Sequence, residues 1–144
     1  MKTLLTGSAV IELGAGLALL CCPSAMVTLL VGAPLEAPAA LTVARVGGGA
    51  VLSLGVACWL ARADAQSRAA IGLLTAMSFY NVATVAILAF AGIAFGLHGV
   101  ALWPGVALHA VMTAWCAECM RRTLLNGTMD SNLRKQSNTE RGPR

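Results

Sequence analysis

Residues 69–93 read AAIGLLTAMSFYNVATVAILAFAGI and contain no charged side chain. The charge-free stretch continues beyond this run and ends at Ala117. A helix on the surface of a soluble protein needs one polar face, and these residues have no side chains with which to make one. An apolar run of about 20 residues is long enough to cross a bilayer. The stretch therefore predicts transmembrane helices.

The rest of the chain has the same character. Of its 144 residues, 11% are charged and 58% are hydrophobic, whereas about a quarter of an average soluble domain is charged. Four apolar segments of membrane-spanning length are separated by short connections, which favours an all-α membrane protein with an up-down four-helix bundle. The predicted spans are residues 4–22, 39–61, 69–93 and 99–120.

The domain organisation follows from these spans. Residues 1–125 form one transmembrane domain. Residues 126–144 are polar and lack apolar periodicity. Such a segment buries too little apolar surface to offset its ordering entropy, so we expect a disordered cytoplasmic tail.

Pro23 leaves two interpretations of the first helix. Either the helix continues through Pro23 with a kink, or it ends near Cys22 and residues 24–31 form a short helix at the outer interface, with Pro23 in its first turn. The turn-rich sequence GAPLEAP over residues 32–38 favours the second. A cleaved signal peptide is not expected, because Glu12 interrupts the apolar segment and no small-residue cleavage site follows it.

The basic residues set the predicted orientation. Lys2, the pair Arg62 and Arg68, and the pair Arg121 and Arg122 fall on one side of the membrane if the spans alternate. Cytoplasmic loops carry the excess of Lys and Arg. We therefore expect both termini to be cytoplasmic. Trp59 and Trp115 then lie at the inner interface and Trp103 at the outer one, where aromatic residues are enriched.

Small residues provide the predicted helix contacts. Ala44 and Gly48, like Gly49 and Ser53, are four residues apart in the second span, and Ser8, Glu12 and Gly16 form one stripe on the first. Membrane helices associate through such close-approaching faces. The faces serve packing within the bundle or, alternatively, contact with a partner helix or a second copy.

Four polar residues lie inside the predicted spans. Ionisable groups at membrane depth are costly and need partners, and helical rise places Glu12, Arg45, Asn81 and His109 in one layer. This predicted buried polar cluster is either a site for a small ligand, a quinone head group or a proton, or a structural network that fixes helix order. Arg45 either pairs with Glu12 or extends to the outer surface.

The five cysteines suggest a second chemistry. Cys116 and Cys119 form a C-x-x-C motif, which in some settings is a redox pair. They lie at the inner end of the fourth span, where the reducing cytoplasm disfavours disulfides, and membrane helices also hold cysteine as a small apolar residue. No metal site is expected, because His109 has no second ligand at suitable spacing on its helix.

The run LTVARVGG at residues 41–48, continuing to LGVACWLAR at residues 54–62, resembles a pattern in small bacterial four-helix membrane proteins. The layout is also similar to that of DoxX-like proteins, some of which are subunits of quinone-linked sulfur oxidation. The resemblance covers about residues 1–122 and implies a bacterial inner-membrane location. It carries over no catalytic residues.

These observations leave several functions open. We expect a non-enzymatic accessory or interaction subunit, because no catalytic signature is present and the helix faces are suited to a partner. The alternative is a quinone- or thiol-linked redox component, with quinone as its cofactor. A small carrier that uses Glu12 and Arg45 is a third hypothesis. The basic residues flank apolar spans and so indicate topology rather than nucleic-acid binding.

Overall fold

The computed structural model describes the backbone of residues 1–140 and the side chains of residues 1–125. This part of the chain is helical and contains no strand, which confirms the all-α prediction. In order along the chain its helices are α1 (Lys2–Cys21), α2 (Pro23–Val31), α3 (Pro38–Ala61), a short 3-10 helix (Arg62–Asp64), α4 (Arg68–Ala94) and α5 (Leu102–Glu140).

Three segments of the described chain are long and apolar enough to cross a membrane: Lys2–Cys21, Pro38–Asp64 and Arg68–Ala94. They correspond to the first three predicted spans. The fourth predicted span lies at the start of α5, where Pro104, His109 and Glu118 lower the mean hydropathy.

The chain breaks its first helix at Pro23. Cys22 leaves helical geometry with φ −129° and ψ 57°, and Pro23 occupies the first turn of α2. Proline fits this position because the first amide groups of a helix have no partner within it. The two-helix interpretation is therefore confirmed. α2 ends at Gly32, whose φ of 82° lies in the left-handed region that glycine adopts without strain.

α1 and α3 pack antiparallel with their backbones in direct contact. A methyl group added to Gly16 would lie 2.5 Å from the backbone nitrogen of Leu52, and one added to Gly48 would lie 2.8 Å from that of Leu20. The stripe Ser8, Glu12 and Gly16 is buried. These small residues therefore form an interface within the bundle. Gly49, in contrast, has no atom near the position of an added methyl group.

α4 and α5 form the second antiparallel pair, and the two pairs meet in an apolar core towards the end of the bundle that holds Met1. The core draws on α1, α3, α4 and α5. Its buried side chains are Leu4, Leu5, Ala9, Cys58, Leu74, Met77, Met112, Cys116 and Cys119. α1 and α3 thus associate mainly through glycine contact, and the pairs associate mainly through this core.

α2 closes the opposite end of the bundle by docking on the start of α5. The backbone amide of Ala101 donates a hydrogen bond to the carbonyl of Leu29 at 2.8 Å. A side chain at Gly99 would overlap the backbone of Leu29 and Leu30. The Ser24 hydroxyl also bonds to both backbone groups of Leu35, which holds the loop after α2 in place.

The surface of the helices is apolar between two polar ends. Large hydrophobic side chains are exposed along them, with Phe79 at 75% and Ile93 at 76%. Such a surface is typical of contact with lipid. At one end, a single cleft is lined by Met1, Gln66 and Arg122, so the start of α1, the α3–α4 connection and α5 converge there.

The last helix extends further than the sequence predicted. The backbone of α5 continues to Glu140, across residues that were assigned to a disordered tail from residue 126 onward. The prediction considered burial alone, whereas a helix satisfies its backbone hydrogen bonds internally, and no proline occurs between Pro104 and Pro143. Residues 141–144 of the predicted tail lie outside the described residues.

Candidate functional site

The polar side chains of the middle of the bundle form one group, which we call the polar cluster: Glu12, Tyr80, Asn81 and His109. Glu12 comes from α1, Tyr80 and Asn81 from α4, and His109 from α5. Glu12 is 3% exposed and Asn81 is fully buried. Three of the four residues of the predicted polar layer are therefore brought together.

Asn81 and His109 join α4 to α5. The Asn81 amide donates from Nδ2 to the carbonyl of Met77 at 2.7 Å, so its Oδ1 is the atom that faces His109. The His109 Nδ1 lies 2.6 Å from this oxygen. Because Oδ1 only accepts, Nδ1 must donate. In a neutral imidazole, Nε2 is then left as a hydrogen-bond acceptor.

Tyr80 connects Glu12 to this pair. Its hydroxyl lies near the Glu12 carboxyl and interacts with it. Its ring meets the His109 ring edge to face, with centroids 5.6 Å apart. The polar cluster therefore extends from α1 through α4 to α5. Its contacts join different helices, except for the hydrogen bond from Asn81 to the preceding turn of α4.

A cavity of about 390 Å³ lies above the polar cluster. Glu12, Tyr80 and His109 contribute to its floor, and α2 covers its outer end with Met26 and Leu30. Its walls are mostly apolar and include Leu19, Val51, Leu88 and Leu108. This volume is in the range of small-molecule sites, which combine apolar walls with a few convergent polar groups.

Arg45 does not join the polar cluster. Its side chain is exposed, and among the described residues no ion pair links it to Glu12. The residue of α3 that faces Glu12 is Gly55, ten residues beyond Arg45 and about 15 Å further along the helix. Arg45 instead lies level with the outer end of α1, because the nearby Gly48 packs on Leu20. The predicted pairing of Arg45 with Glu12 is wrong, and the alternative of an arginine turned outward is the one that agrees with the structure.

The cysteines divide between the two ends. Cys58, Cys116 and Cys119 are buried in the apolar core, whereas Cys21 and Cys22 are exposed, and all five are free thiols. Burial removes Cys116 and Cys119 from exchange partners in solution. Their role as a redox pair stays a prediction. In the described part of the chain, no group of three or more His, Cys, Asp or Glu side chains is placed to hold a metal ion.

Tyr80 is the functional residue that the sequence reasoning missed. It is the one tyrosine of the chain, it precedes Asn81, and it lies in the middle of an apolar span. A phenol hydroxyl at this depth needs a hydrogen-bonding partner for the same reason as an amide. That argument, applied to Tyr80, would have added it to the polar layer.

Comparisons with family models, curated proteins and solved structures give no match for this chain. The resemblance to DoxX-like proteins therefore stays a prediction.

Proposed function

We propose that this protein is a non-enzymatic membrane protein that crosses the bilayer four times and binds a small amphipathic molecule in the cavity. The carrying observation is the junction of an apolar cavity of about 390 Å³ with the polar cluster at its floor. A group that only fastened helices together would not need a ligand-sized space beside it.

Four crossings are supported by the way the helices pair. α5 packs antiparallel along α4, because Gly92 lies against Leu102 and Thr75 contacts Met120, on either side of the bond from His109 to Asn81. A membrane around α4 would therefore also surround the first part of α5. The exposed side chains there include Val111 at 62%. The basic ends of the helices would face the cytoplasm, which puts both termini inside. The bacterial inner membrane is proposed from the resemblance.

The shape of the cavity favours a ligand that arrives from the lipid. α1 and α5 both line the cavity but make few direct contacts with each other. Ala15 on α1 and Leu108 on α5 face the space from these two helices. An apolar molecule in the outer leaflet would approach between them, with its polar end directed at the polar cluster.

The polar cluster favours a head group that donates hydrogen bonds. The acceptors on the floor are the Glu12 carboxyl and the Nε2 of His109. The His109 Nδ1 is engaged with Asn81, and the Tyr80 hydroxyl interacts with Glu12 and Thr84. A hydroxyl or an amine matches this pattern. For the redox alternative, the pattern favours a quinol over an oxidised quinone, which presents two carbonyl acceptors.

The test is to fill the cavity. Ala15→Phe places a ring in the space, and Ala83→Phe on the exposed face of α4 is the matched control. Binding of tritiated phenylbutanol to the protein in lipid nanodiscs is measured against empty nanodiscs. We expect specific binding to the wild type and to Ala83→Phe, and its loss in Ala15→Phe. Equal binding by all three would contradict the proposal.

An accessory subunit is the second candidate. The specific observation in its favour is the open face of α3, where Gly49 has free space beside it and Ser53 is exposed. Small residues on an open membrane-helix face allow close approach of another helix. Light scattering of the protein in mild detergent would give a mass above that of one chain. A mass of one chain with no retained partner would argue against it.

A further inference from the structure

Glu12 is a buried carboxyl group whose one basic neighbour among the described residues is the His109 ring, with no lysine or arginine paired to it. Its surroundings are Tyr80 on α4, the His109 ring on α5 across the same floor, and the Cys58 thiol on α3. Within the described residues, the ion pairs involve Glu118 with Arg121 and Arg122 and do not include Glu12. The arginine that the sequence offered as its partner, Arg45, is exposed and about 15 Å away along α3.

An ionised carboxylate in such a place requires a compensating charge, and without one the group takes up a proton. Ionisable groups at membrane depth mark sites for ions, protons or ligands. Among the described residues no lysine or arginine pairs with Glu12, but the cavity leaves Glu12 accessible from its inside. A cationic ligand in the cavity would supply the charge that the ionised form of Glu12 lacks.

Tyr80 adds a second feature that suits a cation. Its ring lines the same cavity as the Glu12 carboxyl and is oriented by its contact with His109. An ammonium group is attracted to the face of an aromatic ring, and more strongly where water is excluded. An acidic group and an aromatic ring thus lie at one end of a space whose remaining walls are apolar.

We propose that the cavity selects a small lipophilic amine, whose ammonium group pairs with Glu12 and lies beside the Tyr80 ring while its apolar part fills the space below α2. This inference rests on the proposed function of the cavity as a binding site. It adds the charge of the head group, which the proposed function leaves open between a hydroxyl and an amine.

Two probes of the same shape distinguish the selection of an amine from ligand binding by the cavity as such. Phenylbutylamine and phenylbutanol differ in the head group, and their dissociation constants are measured with the full chain in nanodiscs of zwitterionic lipid. The wild type is expected to bind the amine at least about tenfold more tightly, as a charge-assisted hydrogen bond implies. Glu12→Gln should remove this preference, so that the amine and the alcohol bind to the variant with similar dissociation constants. Glu36→Gln, in the exposed loop before α3, is the matched control and should behave as the wild type.

The outcomes are distinguishable. Equal binding of both probes by the wild type, without an effect of Glu12→Gln, would overturn the selection of an amine and leave the binding function intact. Absence of binding for both probes would overturn the binding function itself. The binding of the two probes to the wild type is enough to distinguish these results. The proposal can therefore be tested even if Glu12→Gln fails to fold.

Discussion

Glu12 is surrounded by a phenol, an imidazole, a thiol and apolar side chains, and it is 3% exposed. If Glu12 serves a ligand, we expect it to destabilise the ligand-free protein, since functional groups are commonly retained at a cost in stability. We expect Glu12→Gln to raise the melting temperature of the purified protein, because a neutral amide is less costly to bury than a carboxylate. The glutamine keeps an acceptor for the Tyr80 hydroxyl.

The control for this measurement is Glu36→Gln, which changes the same charge at an exposed position. It should leave the melting temperature unchanged. A marked fall in the melting temperature of Glu12→Gln would mean that the carboxylate itself stabilises the bundle. Glu12 would then be a residue that stabilises the fold and not part of a binding site.

The depth of single polar residues in the bundle was partly predictable from the sequence. Glu12, Asn81 and His109 were predicted to share a layer because helical rise fixes depth within each span, and they do meet. Arg45 was placed wrongly because the relative height of two helices depends on which residues interlock. Gly48 against Leu20 and Gly55 against Glu12 set that height, and the interlocking of glycines is not visible in the spacing of one helix.

At the scale of elements, the contact of α1 with α3 depends on the absence of side chains. A methyl group at Gly16 would meet the backbone of Leu52 and the carbonyl of Gly48, both within 3.0 Å. We expect Gly16→Ala to destabilise the protein by about 1–3 kcal/mol, because overpacking displaces the backbone. Thermal unfolding in detergent measures the change.

Gly14 provides the matched control on the same helix. It is exposed, and an added methyl group there has no neighbour within 4 Å. Gly14→Ala should be neutral or slightly stabilising, because alanine favours helix over glycine. Equal effects of the two substitutions would contradict the close contact of α1 and α3.

The element boundaries were largely predictable. α3 and α4 begin and end within one residue of the predicted spans, since Pro38 and the polar connection before Arg68 bound uninterrupted apolar runs. The break at Pro23 was one of two predicted alternatives and was favoured by the turn-rich sequence over residues 32–38. The C-terminal extent of α5 was not predictable in this way. Its last part has no apolar face to indicate a helix, and a helix satisfies its backbone hydrogen bonds without being buried.

The whole molecule consists of two antiparallel helix pairs that share a core at one end and enclose a cavity at the other. The pairs converge on the buried cluster around Met77 and Cys116, and α2 spans the open end. In this arrangement one face of α1 packs tightly on α3, and another face of α1 lines the cavity. In the proposed topology the first part of α5 crosses the membrane beside α4.

The topology of the membrane crossings tests this account most directly. Four reporter cysteines at exposed positions are introduced one at a time: Glu36→Cys, Gln66→Cys, His98→Cys and Leu125→Cys. The background is a chain whose exposed Cys21 and Cys22 are changed to serine and whose other three cysteines are buried. A membrane-impermeant maleimide is applied to intact cells and to permeabilised cells. The account predicts that the reporters at 36 and 98 react in intact cells, whereas those at 66 and 125 react only after permeabilisation. Reaction of the reporter at 125 in intact cells would contradict the fourth crossing, and with it the bundle in which the cavity lies.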